Sequence, residues 1–309
     1  MDVLERDASE VPILIRSVKN SFAPINQIPP EVLSLIPDHW DYDGTDQDLI
    51  TLTHVCRTWR TIFTSRPSLW SYLECRDVDK TRVYIERSKV SPLEVYIEDS
   101  PDDPYIKYAV LLMTQLINRL KCLTISAEGV SHLFDHFACR APLLKTLAIT
   151  FSDLPPPALS NTFLDGDFSS LDELRLDGII THLAWKSLSN LTTFELSRIP
   201  ASSVSVTQLL NLFGSAPLLR VITLEDSLPA SSDAPPARIL SLTYLKELKI
   251  DAHQPHLILL NNLSIPTGAS LVLEFDFDGN ASLLLDYASS WGNSSFTSRE
   301  RVSCLSRAC

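Results

Sequence analysis

Glycine is scarce in this chain, with eight in 309 residues. None falls in the spacing that wraps backbone amides around a phosphate, so phosphate-loop chemistry has no sequence to rest on. No Gly-x-Ser-x-Gly turn presents a serine nucleophile either. Long hydrophobic runs are missing, none reaching the roughly 18 residues that a membrane-spanning helix needs. Positive charge is in deficit: 26 Lys and Arg stand against 38 Asp and Glu, a net charge of −12 with pI near 5.0. That balance opposes binding to nucleic-acid backbones and to anionic membranes. The six cysteines, Cys56, Cys75, Cys122, Cys139, Cys304 and Cys309, show no paired spacing and are expected to be reduced thiols in the cytoplasm or nucleus. Residues 1–21 lack a basic start followed by an apolar core, so no signal peptide is expected.

Metal and acid–base chemistry have little to build on. His132, His136 and Cys139 could share a helical face, but Leu133, Phe134 and Phe137 make that stretch read as a packing helix. Asp276, Asp278 and Asn280 open like a calcium loop, yet Ala281 stands where glycine is required and Tyr287 where the closing acid belongs. No cofactor, no metal and no enzymatic activity are expected.

What is present is a compact run of signals between Ile25 and Trp70. Pro29-Pro30 before Glu31 suits a helix start, since proline is tolerated in the first turn and an acid there complements the dipole. Pro37 is expected to stop that helix after about two turns. Thr45-x-x-Asp48 reads as a capping box opening a second helix. Leu49, Leu52, Cys56, Trp59 and Phe63 then recur at intervals of three and four, one apolar stripe with Arg57 and Arg60 off it. Three brief helices bury too little apolar surface to offset their ordering entropy, so such a module needs a larger body or a partner.

Ile28-Pro29-Pro30-Glu31-Val32-Leu33, Asp48-Leu49-Ile50-Thr51-Leu52, Val55-Cys56-Arg57-Thr58-Trp59-Arg60 and Ser68-Leu69-Trp70 follow one another in the order of the F-box pattern. The segment resembles the F-box, the helical module that docks a protein onto the Skp adaptor of SCF ubiquitin ligases. It departs from that pattern after Ile36, where Pro37 to Gly44 forms an acidic, aromatic insertion. The resemblance implies an adaptor-binding face, with Ile28, Pro29, Leu33, Ile36, Leu49, Leu52, Val55, Trp59 and Trp70 as its candidates.

Beyond this segment the chain repeats itself. Of its 49 leucines, 40 lie after residue 100. Apolar residues at relative positions one, four and six recur in Pro92-Val95-Ile97, Leu120-Leu123-Ile125, Leu144-Leu147-Ile149, Leu171-Leu174-Leu176, Leu191-Phe194-Leu196, Leu219-Ile222-Leu224 and Leu245-Leu248-Ile250, with a degenerate eighth at Leu273-Phe275. The spacing averages about 25 residues, inside the period of leucine-rich repeats. Tyr108 to Asn118, Val130 to Phe137 and Val206 to Phe213 read as helical returns. Position nine, where that pattern carries Asn or Cys, is instead Glu128, Ser152, Ile179, Ile199, Ser227 and His253. The expected fold class is therefore α+β or α/β solenoid: an F-box-like three-helix module followed by a degenerate leucine-rich-repeat-like array. The expected domains are an extension at 1–24, the F-box-like module at 25–72, the repeats at 73–280 and an irregular or disordered tail at 281–309.

The pairing of an F-box with leucine-rich-like repeats resembles large families of fungal F-box-like proteins. That resemblance implies a substrate-recognition adaptor, with the repeats recruiting a client to a cullin ligase. The alternative is a repeat scaffold unconnected to any ligase. On each strand, positions three, five and seven point away from the buried ones. They include Glu94, Glu98, Glu173, Asp177, Glu195, Glu225, Glu247 and Asp251 against Arg175 and Lys249, a candidate client-binding surface suited to a basic segment.

Overall fold

In a computed structural model, the described residues are 11–275 without 13–14, 17, 40–46, 99–104, 127–130, 153–154, 182–187, 201–202, 228–238 and 253–256, together with 296–298. The chain divides into two compact units, residues 1–72 with 82–91 and residues 73–81 with 92–309. It is a mixed helix-and-strand structure built on a parallel sheet.

The first unit is helical. Its α-helices include Pro30–Leu33, Gln47–Val55 and Arg57–Thr64, with 3₁₀ turns at Pro24–Gln27, Ile36–His39 and Pro67–Trp70. Two expectations are corrected. The first helix ends at Leu33, and Pro37 lies inside the following 3₁₀ turn instead of terminating a two-turn helix. The stripe from Leu49 to Phe63 is not one helix, because Cys56 is extended at φ −158°, ψ 174° and separates two helices. No glycine or proline marks that break. The β-branched Thr51, Thr53 and Val55 weaken the end of the first helix, and Arg60 holds the corner by donating from Nε to the Thr53 carbonyl at 2.9 Å. Thr45 of the anticipated capping box and the insertion from residue 40 onward lie outside the described residues.

The second unit contains nearly all of a ten-stranded sheet whose strand order follows the chain. From Leu93–Glu98 the strands run Leu120–Ser126, Thr146–Thr150, Glu173–Asp177, Thr193–Ser197, Val221–Glu225, Glu247–Ala252, Ser270–Phe275 and Phe296–Ser298, all paired in parallel. Each of the seven sequence blocks supplies one strand. Register stacks like on like: Val95, Leu123, Leu147, Leu174, Phe194, Ile222, Leu248 and Leu271 form one buried row. Ile97, Ile125, Ile149, Leu176, Leu196, Leu224, Ile250 and Leu273 form the next. A strand alternates its side chains between faces, so both rows lie on one side and bury a shared core that no single strand could build.

The returns are as varied as their sequences. Tyr105–Gln115 and Val206–Ser215 are α-helices, whereas Ser131–His136 is a 3₁₀ segment. Ser205 opens the second helix with a capping box that the sequence reading missed: its hydroxyl accepts from the Gln208 amide while the Gln208 side chain accepts from the Ser205 amide. At position nine, Ile179 and Ile199 are buried, and Ser227 is buried with its hydroxyl donating to the Leu196 carbonyl at 2.9 Å. Glu128 and His253 lie outside the described residues, as do Asp276, Asp278, Asn280 and the tail from 281 apart from Phe296–Ser298.

Candidate functional site

The helical unit is organised around two tryptophans. Trp59 packs edge-on against Phe63, with ring centroids 5.7 Å apart, and its indole N–H donates to Asn26 Oδ1 at 2.7 Å. Asn26 in turn donates from Nδ2 to the Asn20 carbonyl, also at 2.7 Å. Trp70 donates from its indole to the Phe63 carbonyl at 2.9 Å, meets Tyr84 edge-to-face at 4.9 Å, and carries the Arg87 guanidinium 4.3 Å above its ring. Arg66 ties the end of Arg57–Thr64 to the Ser34 carbonyl at 2.7 Å, fixing the short Pro30–Leu33 helix against it.

This frame sorts the candidate docking residues. Leu33, Leu49, Trp59 and Trp70 are interior, at 2%, 7%, 8% and 0% exposure. Ile28, Ile36 and Leu52 are half-buried, and Pro29 and Val55 are exposed. The structure also presents apolar side chains that the sequence reading did not select: Ile25, Val32 and Leu35 are 41%, 53% and 47% exposed. Val32 and Leu35 alternate with the inward Leu33 and half-buried Ile36, so a surface and a core are threaded through one short segment. Exposed apolar groups clustered on a small unit mark an interaction surface better than singly scattered ones do.

The family model for F-box-like domains matches residues 25–76. Residues 25–76 are an F-box-like domain. A search of the curated proteins finds no match to the chain. The F-box-like domain carries a general link to the SCF ubiquitin-ligase machinery, whose F-box proteins are typically adaptors that do not themselves catalyse.

The candidate client residues lie along the solvent side of the sheet. Glu98, Arg175 and Glu247 are exposed, while Glu94, Glu173, Asp177, Glu195, Glu225, Lys249 and Asp251 are half-buried. Many of their charges are already answered across strands. Lys121 meets Glu94 at 2.7 Å, Arg76 meets Glu98 at 2.5 Å, and Lys249 meets Glu225 at 2.5 Å. Arg175 sits between Glu173 at 3.6 Å and Glu195 at 3.7 Å. Arg198, which the sequence reading passed over, grips Asp177 with two bonds of 2.6 and 2.7 Å and reaches the Phe151 carbonyl at 3.3 Å. The surface is thus a mosaic of alternating charge, less negative than its carboxylates alone suggest.

Among the described residues no group of three metal-ligating side chains converges, and no helix is long and apolar enough to cross a membrane. Cys56, Cys75, Cys122 and Cys139 are free thiols. Burial pushes the Cys75 thiol up to about 12, so it stays protonated at neutral pH. Burial likewise raises the Tyr105 hydroxyl to about 12. Both groups keep their protons in the folded chain where an unfolded chain would lose them near 9.0 and 10.0. Their contribution to stability is therefore complete below about pH 9 and disappears as pH rises towards about 12. The urea midpoint is expected to fall between about pH 8 and about pH 10.5, and to fall less in Cys75→Ala. A midpoint independent of pH across that interval contradicts the assignment.

Proposed function

We propose that this protein is a substrate-recognition adaptor of an SCF-type ubiquitin ligase, at work in the cytoplasm or nucleus. Its F-box-like domain engages the Skp adaptor, and its second unit holds a client protein within reach of a cullin-bound ubiquitin-conjugating enzyme. The chain supplies proximity and orientation while other subunits perform the transfer. The observation carrying this reading is the F-box-like match at 25–76 together with the apolar side chains that the same segment leaves in solvent.

Within the reading, the nine candidate residues divide their labour. Pro29 and Val55, with Val32 and Leu35 beside them, meet the adaptor directly. Ile28, Ile36 and Leu52 line its margin. Leu33, Leu49, Trp59 and Trp70 act from within, holding that face in shape. The in-order parallel strands support a degenerate leucine-rich-repeat-like array over 73–280, whose solvent side receives the client. Exposed ion pairs each contribute only about 0–1 kcal/mol, so a client with its own regular charge pattern can exchange partners with Glu173, Arg175, Glu195, Glu225 and Lys249. Glu94, Glu98, Asp177, Glu247 and Asp251 extend that surface and favour a client segment rich in Lys and Arg.

The test is a pull-down of purified Skp adaptor by the full chain. Val32→Asp, Leu35→Asp and Val55→Asp combined are expected to weaken capture at least about tenfold, because three apolar contacts are replaced by charges that would have to be desolvated. Folding should be little affected, since surface substitutions away from special features cost within about 0.5 kcal/mol. Failure of the unaltered chain to bind the adaptor refutes the proposal and leaves the ligase-independent scaffold.

A further inference from the structure

A cleft of about 320 Å³ opens on the helical unit. That is the room of about ten waters, enough for a small polyatomic group together with the atoms that carry it. Arg16 and Arg57 line it, with Asn20, Ser21 and Thr58 beside them, and its described lining residues include no carboxylate. The chain as a whole is at −12, so this lining runs opposite to the net charge of the molecule.

Neither guanidinium is engaged elsewhere. Arg66 is tied to the Ser34 carbonyl and Arg198 to Asp177. Among the described residues Arg16 and Arg57 have no carboxylate partner. A free guanidinium presents planar N–H groups whose spacing matches two oxygens of a phosphate, and paired arginines are suited to that group above other anions. The cleft is also anchored. Asn26 and Cys56, which complete its lining, are half-buried. The buried Trp59 indole donates to Asn26 Oδ1 at 2.7 Å, and Asn26 donates from Nδ2 to the Asn20 carbonyl at 2.7 Å. Asn20 and the Arg57–Thr64 helix are thereby joined through the core of the F-box-like domain.

We propose that Arg16 and Arg57 form a binding site for a phosphate group. Inorganic phosphate and a phosphorylated serine or threonine of a partner protein share this chemistry, and the room beyond a bare ion favours the phosphorylated side chain. The site is separate from the adaptor reading and needs no ligase for its function.

Calorimetry on the full chain tests it with three probes: a phosphoserine peptide with no other charge, the same peptide without phosphate, and inorganic phosphate. The phosphoserine peptide is expected to bind at least about tenfold tighter than its unphosphorylated form. Arg16→Gln with Arg57→Gln should weaken it at least about tenfold. Both arginines are exposed, so the thermal unfolding of that variant should match that of the unaltered chain. Arg220→Gln with Lys246→Gln removes the same charge from exposed positions on the second unit and should leave affinity within about twofold. The phosphate gains its second charge near pH 6, so affinity should rise between about pH 5 and about pH 7. Weaker binding of inorganic phosphate than of the phosphoserine peptide assigns the site to a phosphorylated partner, and equal binding assigns it to the free ion. Peptide binding that ignores the phosphate, or an equal loss from the two double variants, overturns the site.

Discussion

Trp70→Ala is expected to unfold the F-box-like domain outright. The indole is fully buried, and its removal leaves a cavity under Tyr84, strips the Arg87 guanidinium of the ring beneath it, and takes from the Phe63 carbonyl its side-chain donor, leaving only backbone amides. Truncating a buried large aromatic costs about 3–5 kcal/mol, the aromatic pair adds about 0.5–1.5 kcal/mol, and the cation above the ring adds about 0.5–1 kcal/mol or more. A small helical unit has little stability in reserve, because it buries a modest fraction of its surface. Amide exchange in Arg57–Thr64 should become fast, and adaptor capture should be lost together with it. Trp70→Phe, which keeps the ring contact with Tyr84 but not the indole donor, should retain most of the fold. Native-like exchange protection in the alanine variant contradicts this account of the core.

The sheet has its own position of greatest sensitivity at Gly178. Its φ of +66° lies in the left-handed region, and a Cβ placed there would stand 2.2 Å from the Phe151 carbonyl oxygen. The backbones are drawn together on both sides, Phe151 donating to the Asp177 carbonyl at 2.9 Å and Gly178 to the Ser197 carbonyl at 3.0 Å. Gly178→Ala therefore forces two strand ends apart in addition to the left-handed penalty of about 1–2 kcal/mol. A total loss on the order of 3 kcal/mol or more is expected in urea unfolding of the second unit. Gly268 is the matched control: nothing stands within 4 Å of its notional Cβ, so Gly268→Ala should move the midpoint only slightly. Equal midpoints for the two variants would remove the close approach from the argument. Arg198 and Asp226 occupy the equivalent left-handed position after the next two strands, at φ 51° and 46°. The backbone turn is thus common to three repeats, and what makes glycine necessary at 178 is the neighbouring carbonyl.

Strand positions were legible in the sequence for a physical reason. The spacing of Leu147 and Ile149, or of Phe194 and Leu196, is the period-two signature of a half-buried strand, and its recurrence about every 25 residues requires that successive units do the same thing. The F-box-like segment was legible as an ordered set of short signals. Its burial was not. Val32 and Leu33 are neighbours of similar character, and a helix of four residues is too short for periodicity to assign one to water and the other to the core. The break at Cys56 was equally hidden, since it depends on a side chain from the next helix reaching back to the Thr53 carbonyl. The charge mosaic depends on register. Lys121 reaches Glu94 from the register shift between Leu93 and Glu94, whose own partner is Cys122, and Arg198 reaches Asp177 from the position just after Ser197, the register partner of Asp177.

The in-order arrangement of strands has a consequence for how the molecule is made. Register partners such as Leu147 and Leu174, or Ile222 and Leu248, are separated by only one repeat along the chain. Each newly synthesised strand can therefore add to an edge that already exists, without waiting for distant sequence to emerge. Growth by short loop closures is entropically undemanding, and it proceeds from the ribosome-distal end outwards. A nascent chain paused midway would already display a partly built sheet, exposing one unpaired strand edge at its growing end.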